Sequence, residues 1–592
     1  MRRAAGRVVV ASLAVCALSA CGRLRYEPGD ADAIDAPGLD AALDAITIDA
    51  SIDAPGLDAF APDAAIDAPG LDAPSIDAPS IDAAAPDAAL DRDAGMVGLP
   101  TECLLGTTGT ATLPAFVAPM APVERRVVPV ADTAALTAAL AVSMPGDVIE
   151  LEPGVSYRSA YVVSRGDLTI RTRAIDAAVP ATSRVAPTDA PALARIVSGG
   201  TLPSLSIEAP NVRVVGLEIA TDALDAPSIV RTTPAATDVI LERLWVHGSD
   251  ARDARAGLEL NGARTVLARS HVSEIHANRG PRPAVLLYTF GSSMAILDNH
   301  LESSGEGVVF GTEVPLTPES APSDAVICRN HITRPLTWYP GHPSYAGIEW
   351  PTGPLIGVYD AERVLIAGNV IERAWETTRG SGARALSIVP GDLGGAGSGR
   401  VVDVTFVWNH VRDVPEGISL GAGPDTSPAL SRVFVGQSLF EPIELGRFGA
   451  DTGRIVQLLA GGAGPISEVV IDRVTAPGAI QNGLLAEPGA RGLITVRDSI
   501  LATGAFGFVV GTDEGIAAFP DLGNLVVIGP RPSVYGASST VVASVDDVGF
   551  VEASASDWAL SPTSPFFTAS STGGPVGCDV ETLRTLVMGV AP

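Results

Sequence analysis

One pattern recurs along most of this chain and limits what it can become. An alternating apolar stretch runs into a short polar turn and out to a second apolar position. Copies occupy 211–219, 238–246, 265–272, 294–301, 325–332, 363–371 and 403–411, and the pattern fades through 432–439, 468–474 and 492–500. Period-two alternation specifies strands. Recurrence at roughly 25–40 residues makes each unit too small to bury its own apolar face, so the units must stack as a solenoid or close as a propeller. A propeller needs four strands per unit at steady length, whereas these units vary through inserted loops. The 62 Gly and 47 Pro supply the turns, and only 5% of the residues are aromatic, which suits short aliphatic strands better than long helices.

The start of the repeat carries a second signal. Val127, Val128 and Val130 read as a strand, 132–140 as a short helix with Asp132 as its N-cap, and 145–157 as a strand opened by Pro-Gly-Asp. A stack of parallel strands has an open apolar end, so a cap is a physical need. This opening resembles that of right-handed parallel β-helix proteins, in which an amphipathic helix covers the first coil. The segment 557–565, with Asp557, Trp558 and Pro565, and 577–580 after it, resembles the tail that closes many secreted members. The resemblance covers residues 125–585 and points to the pectin-lyase-like superfamily. It implies an all-β fold, a right-handed parallel β-helix with an N-terminal capping helix, over 97–592. The stretches 305–311 and 363–371 are similar to an uncharacterised bacterial subgroup that carries Lys-Asn and Glu before the second stretch. Here that place holds Gly353, Pro354, Leu355, Ile356 and Gly357, which puts any activity of the subgroup in doubt.

In the register of the repeats Asn299, Asn330, Asn369 and Asn409 stack, and Gln437 is expected to continue the row. An Asn at a tight interior turn can bond its own coil and the next, satisfying polar groups that the bend buries. His271, His300, His331 and His410 follow, each beside an inward position and therefore outward. Val370 interrupts the row, and coils about 4.8 Å apart make convergence on one Zn²⁺ awkward. No metal is expected.

The N-terminus has its own grammar. Arg2, Arg3 and Arg7 precede an apolar run from Val8 to Leu18, too short for a comfortable span. Leu18, Ser19, Ala20 and Cys21 resemble the lipobox of bacterial lipoproteins. The resemblance implies a signal peptide at 1–20, lipidation of Cys21 and cleavage before it. Several acyl chains anchor stably where one does not. Gly22, in place of an Asp retention signal, favours the outer membrane. In 29–94 an Asp recurs every four or five residues within an Ala/Pro/Gly-rich unit. The spacing fits no calcium loop, so calcium is unsupported. Self-repelling, Pro-stiffened chain is expected over 21–96, a disordered tether that resembles the Asp-Ala-Pro tethers of lipoproteins from high-GC Gram-negative bacteria.

Net charge is −29, and every basic side chain is Arg. Lysine chemistry is excluded, and nucleic acid, which needs basic patches, is not a partner. The expected partners are the lipid bilayer, through Cys21, and a polysaccharide ligand; the chain is expected as a monomer. Beyond the leader and Cys21, Cys103, Cys328 and Cys578 allow one disulfide. Cys328 reads as a buried small hydrophobe, with a Cys103–Cys578 pairing open.

Lyase, polygalacturonase, epimerase and nucleophile-elbow signatures are absent. The densest chemistry lies in the insertion at 333–358, with Trp338, Tyr339, His342, Tyr345, Glu349 and Trp350; Glu306 and Arg329 fall on nearby coils. Rings plus a carboxylate suit a sugar cleft. This makes Glu306, Arg329 and Glu349 the catalytic candidates, and His331, Trp338, Tyr339, Tyr345 and Trp350 the binding candidates. The plainer reading, that these aromatics glue a long loop to the solenoid wall, is favoured. The functional expectation is a cell-surface module that binds polysaccharide without turnover. A surface polysaccharide lyase or glycosidase and a purely architectural envelope protein are the alternatives.

Overall fold

The computed structural model describes residues 99–591 except 106–108, 251, 280–281, 288–290, 312–320, 379–382, 392–398, 422–429, 450–451, 460–465, 488–493, 511–512, 515–520, 531–534 and 536–538. The leader, Cys21 and the Asp-rich tether lie outside the described residues.

The chain is a right-handed parallel β-helix. Each coil contributes one strand to each of three walls, in the same order every turn. The first wall runs from Arg126–Val130 to Leu522–Gly523, the second from Ser156–Arg158 to Ser539–Val542, and the third from Tyr161–Val163 to Gly507–Val510. Pairing along all three is parallel until Asp513–Glu514 adds an antiparallel strand to the third wall. Register follows the hydrophobic alternation. Leu241, Leu267, Ile296, Ile327, Ile366, Phe406 and Val435 stack inward from the first wall, and Val246, Val272, Leu301, Ile332, Ile371 and Val411 from the second. Each such fully buried aliphatic side chain is worth about 1.5–3 kcal/mol. The expected cap is the helix Thr133–Val142, where Asp132 accepts from Ala135 N–H at 2.8 Å and Leu136 and Leu140 enter the core.

The ladder forms at the turn between the first and second walls. A residue with positive φ (Asp298, Arg329, Gly368, Trp408) makes the bend, and the Asn after it points inward, fully buried. Asn299 Nδ2 donates to Asn330 Oδ1 (2.9 Å), Asn330 Nδ2 to Asn369 Oδ1 (3.1 Å) and Asn369 Nδ2 to Asn409 Oδ1 (2.9 Å). Each Oδ1 also accepts the backbone N–H one coil before, as Asn369 does from Asn330 (2.8 Å). Gln437 does not continue the row. It occupies the positive-φ position, and its Oε1 accepts Asp579 N–H outside the core. Ser438 takes the inward place and accepts Asn409 N–H at 3.1 Å, as Ser270 does for Leu244 at the other end.

The outer face of the first wall is itself apolar, and chain termini cover it. Residues 99–105 and 109–123 run over it as a strap. Thr112, Ala115 and Met120 donate backbone N–H groups to Asp403, Asp324 and Asp238. Those carboxylates are gripped from the next coil by Arg432, Arg363 and Arg264. Cys103 is disulfide-bonded to Cys328. The expectation of a free Cys328 and an open Cys103–Cys578 pairing is thus corrected. Alternation turns Cys328 outward, under the strap, where a thiol partner waits. Cys578 is the free, buried thiol, and its S–H donates to Gln437 C=O. The tail does not simply plug the end of the solenoid. Trp558 and the helix Val580–Leu586 pack on the first wall's outer face, and Phe566 and Val576 on the last coils of the second.

Candidate functional site

The outer face of the second wall is the polar face of the solenoid. Its outward positions form two columns. In one, Trp245, His271, His300, His331, Val370 and His410 are paired in register from coil to coil, so Val370 does interrupt the histidines. His271 and His300 stack at 4.3 Å, and His300 meets His331 edge-on at 4.9 Å. The other column contains Glu302, Glu372 and Arg412. Glu274 joins it through a bulge between Val272 and Ile275 that places its own backbone at φ 54°. Bulges re-aim a side chain in this way.

Hydrogen bonds link the array. His331 Nε2 lies 3.0 Å from Glu372 Oε1, and Glu372 Oε2 takes Arg412 Nε at 2.5 Å. His331 Nδ1 is 3.0 Å from His300 Nδ1, which joins the two rings. His300 Nε2 faces Glu302 Oε2, 3.8 Å away, too far for a hydrogen bond. Burial opposes ionisation of Glu372. The hydrogen bond from His331 and the charges of Arg412 and Arg373 outweigh it and hold the carboxyl down to about 2. Glu302 has the reverse balance: burial, and then the Glu274 carboxylate, push it up to about 7. Burial, with neighbouring positive charge next, holds His271 at about 2 and His300 at about 3, so both rings are neutral. The array therefore sets a buried, ionised Glu372 at one end and a proton-holding Glu302 at the other. Opposed environments of this kind separate the roles of two carboxyls.

The insertion at 333–358 flanks this face, and the structure resolves its candidates. Trp338 and Trp350 are 6% and 5% exposed and, with Trp375 and Phe448, form a cluster that glues the loop to the wall. Tyr339 packs 5.3 Å from Trp375 and 5.1 Å from Phe448. These rings are not an open sugar platform; burying them stabilises the loop more than exposure would. Tyr345 lies half-buried in a turn closed by its N–H to His342 C=O. Glu349 accepts Thr378 N–H (2.7 Å) and O–H (3.0 Å), a loop staple rather than a catalyst. Arg329 belongs to the other side of the coil. It donates to Leu586 and Met588 carbonyls and holds the C-terminal helix. Glu306 sits at the head of a third-wall strand, 3.5 Å from Tyr359 O–H, its carboxyl raised by burial. The three catalytic candidates are therefore not brought together. Of the binding candidates, only His331 enters the array.

Residues outside that set complete it. His276 is fully buried, stacked on Trp350 at 3.8 Å and edge-on to Trp338 at 5.2 Å. Glu302 and Glu372 were legible, since each lies two residues beyond a position in the histidine column. Glu274 and His276 were not, because the bulge breaks the alternation. Among the described residues no group of three or more His, Cys, Asp or Glu is placed to hold a metal ion.

The fold places the chain among right-handed parallel β-helix proteins. Similar solved structures include the hyperthermoactive exopolygalacturonase from Thermotoga maritima, at 10% identity and TM-score 0.41 over 64% of this chain and 92% of that one. Alginate lyase from Paenibacillus sp. str. FPU-7 matches at 14% and 0.36 over 57% and 98%. The catalytic domain of a GH87 alpha-1,3-glucanase matches at 10% and 0.42 over 69% of each. At these values the likeness is one of fold alone. No protein-family model and no curated protein sequence matches the chain.

Proposed function

We propose that the protein is an exported lipoprotein, anchored through Cys21 on its Asp-rich tether, whose β-helix holds an extracellular glycan as a monomer along the outer face of the second wall. The observation that carries this reading is the two-column array of imidazoles and carboxyls spread over successive coils. A face that repeats at the strand spacing suits a ligand that itself repeats. The other walls offer less. Strap and tail cover the first, and the third presents Leu286, Val309, Gly357, Ser387 and Ser419 in register. A net charge of −29 disfavours polyanionic glycans.

The test is retention of the exported, purified protein on immobilised neutral, acidic and amine-bearing glycans. Loss of retention is expected in His271→Ala with His300→Ala, and none in Glu349→Gln. No retention on any glycan would leave the array as wall structure. Reducing-end release in the same incubations would move the reading to a glycoside hydrolase.

A further inference from the structure

Carboxyls on the walls are matched with arginines almost systematically. Glu242 is met by Arg213, Arg243 and Arg269, Glu372 by Arg373 and Arg412, Glu218 by Arg195, and Glu416 by Arg384. Glu274 and Glu302 break the rule. Among the described residues no arginine pairs with either of them, although they sit against each other: Glu302 Oε1 accepts Glu274 N–H at 3.2 Å. What faces them is histidine. His276 Nε2 stands 3.6 Å from Glu274 Oε2, and His300 Nε2 3.8 Å from Glu302 Oε2.

Buried polar atoms in this corner are left over. Glu274 Oε2 is buried with no hydrogen-bond partner, and His276, fully buried, has none on either ring nitrogen. An imidazole has one acceptor nitrogen when it is neutral. Glu302 Oε2 lies beyond hydrogen-bond reach of the histidine it faces. Orphaned buried polar atoms call for an explanation such as a missing ion or ligand group. The Glu274 side chain, 36% exposed, leaves a way in, while Trp338 and Trp350 close the floor under His276.

We infer that the corner formed by Glu274, His276 and Glu302 binds a primary ammonium group, and that the glycan held on the second wall is therefore one bearing free amines. This rests on the glycan reading above and names its substrate class. An ammonium offers three N–H donors to the Glu274 and Glu302 carboxylates and the His276 ring, and it supplies the positive charge that arginine gives the other carboxyls. A divalent metal would need ligands converging at short, fixed distances, and the described residues hold no such group. Glu302 binds the cation as a carboxylate. The groups facing it are Glu274 and His276 from the preceding coil, His300 on its own strand and His331 from the next, with Glu372 beyond. The site is thus proton-linked: a bound ammonium displaces the Glu302 proton.

Calorimetry on the exported, purified protein tests this with three probes: a β-1,4-linked glucosamine hexamer, its fully N-acetylated counterpart and a β-1,4-linked glucose hexamer. The amine hexamer is expected to bind at least tenfold tighter than either other probe, and more weakly as salt rises. Glu302→Gln and Glu274→Gln should each remove most of that preference. His276→Phe, which keeps the ring stack on Trp350 but removes the nitrogens, should weaken it several-fold. Glu349→Gln should leave it unchanged. Equal binding of the three probes would overturn the inference while leaving glycan binding intact. An undiminished preference in both Glu302→Gln and His276→Phe would overturn it as well, as would displacement of the amine hexamer by millimolar Ca²⁺. Failure of all three probes to bind, with no retention on any immobilised glycan, would end both readings.

Discussion

Asn369→Ala tests whether the ladder stabilises the solenoid as its geometry says. The wild-type side chain accepts Asn330 N–H (2.8 Å) and Nδ2–H (3.1 Å), and donates to Ile327 C=O (3.0 Å) and Asn409 Oδ1 (2.9 Å). Alanine strands two buried donors of Asn330. Asn409 Oδ1 still accepts the backbone N–H of residue 369 (3.1 Å). At about 1–3 kcal/mol for each unsatisfied buried donor, the cost is about 2–6 kcal/mol, and water entering the vacated space moves it toward the lower figure. Asn369→Ser gives an internal check. At Ser438 a hydroxyl already accepts the preceding backbone N–H from this position, so serine should recover about half the loss. Contacts in a solenoid are between neighbours, so the damage should be local. Hydrogen exchange should speed up at amides 328–332 and 368–371 well before it does at 212–219. Urea unfolding gives the total. A loss under about 1 kcal/mol for alanine, or equal losses for alanine and serine, would refute the reasoning.

Five further outcomes are expected. Apart from Cys16 and Cys21 of the N-terminal segment, thiol titration should find no reactive thiol when folded, one (Cys578) when unfolded without reductant and three after reduction. Cys103→Ser, which opens a closure of 225 residues, should cost about 2–5 kcal/mol, with faster exchange in the 109–120 strap. Glu302 is held protonated in the fold, its carboxyl raised from 4.5 to about 7. Its contribution is therefore complete below pH 4.5 and is lost as pH rises through 7, an interval of about 3 kcal/mol. Tm measured at pH 5 and pH 8 should show the fall, and Glu302→Gln should flatten it. Arg329→Ala should loosen the Val580–Leu586 helix in hydrogen exchange while leaving glycan retention intact. Trp338→Ala should instead destabilise by about 3–5 kcal/mol, read by urea unfolding.

The local pattern by itself determined the architecture. Period-two alternation in units of varying length buries its apolar side by stacking, and the Asn after four of the bends bonds its own coil and the next. The capping helix was equally local, since Asp132 and the Leu136–Leu140 spacing act within one turn. Gln437 was misplaced by one residue: it aligns with Trp408 at the positive-φ bend, and Ser438 is the residue that aligns with Asn409 and faces in. What only the tertiary structure decided were the meetings of distant segments. Cys103 reaches Cys328 because the strap runs back across the first wall. Arg329 serves the C-terminal helix because its coil faces that way. Glu274 and His276 join Glu302 because one inserted residue shifts the register. In each case the contact depends on which face and which coil a residue occupies, a property of the stack rather than of its neighbours in sequence.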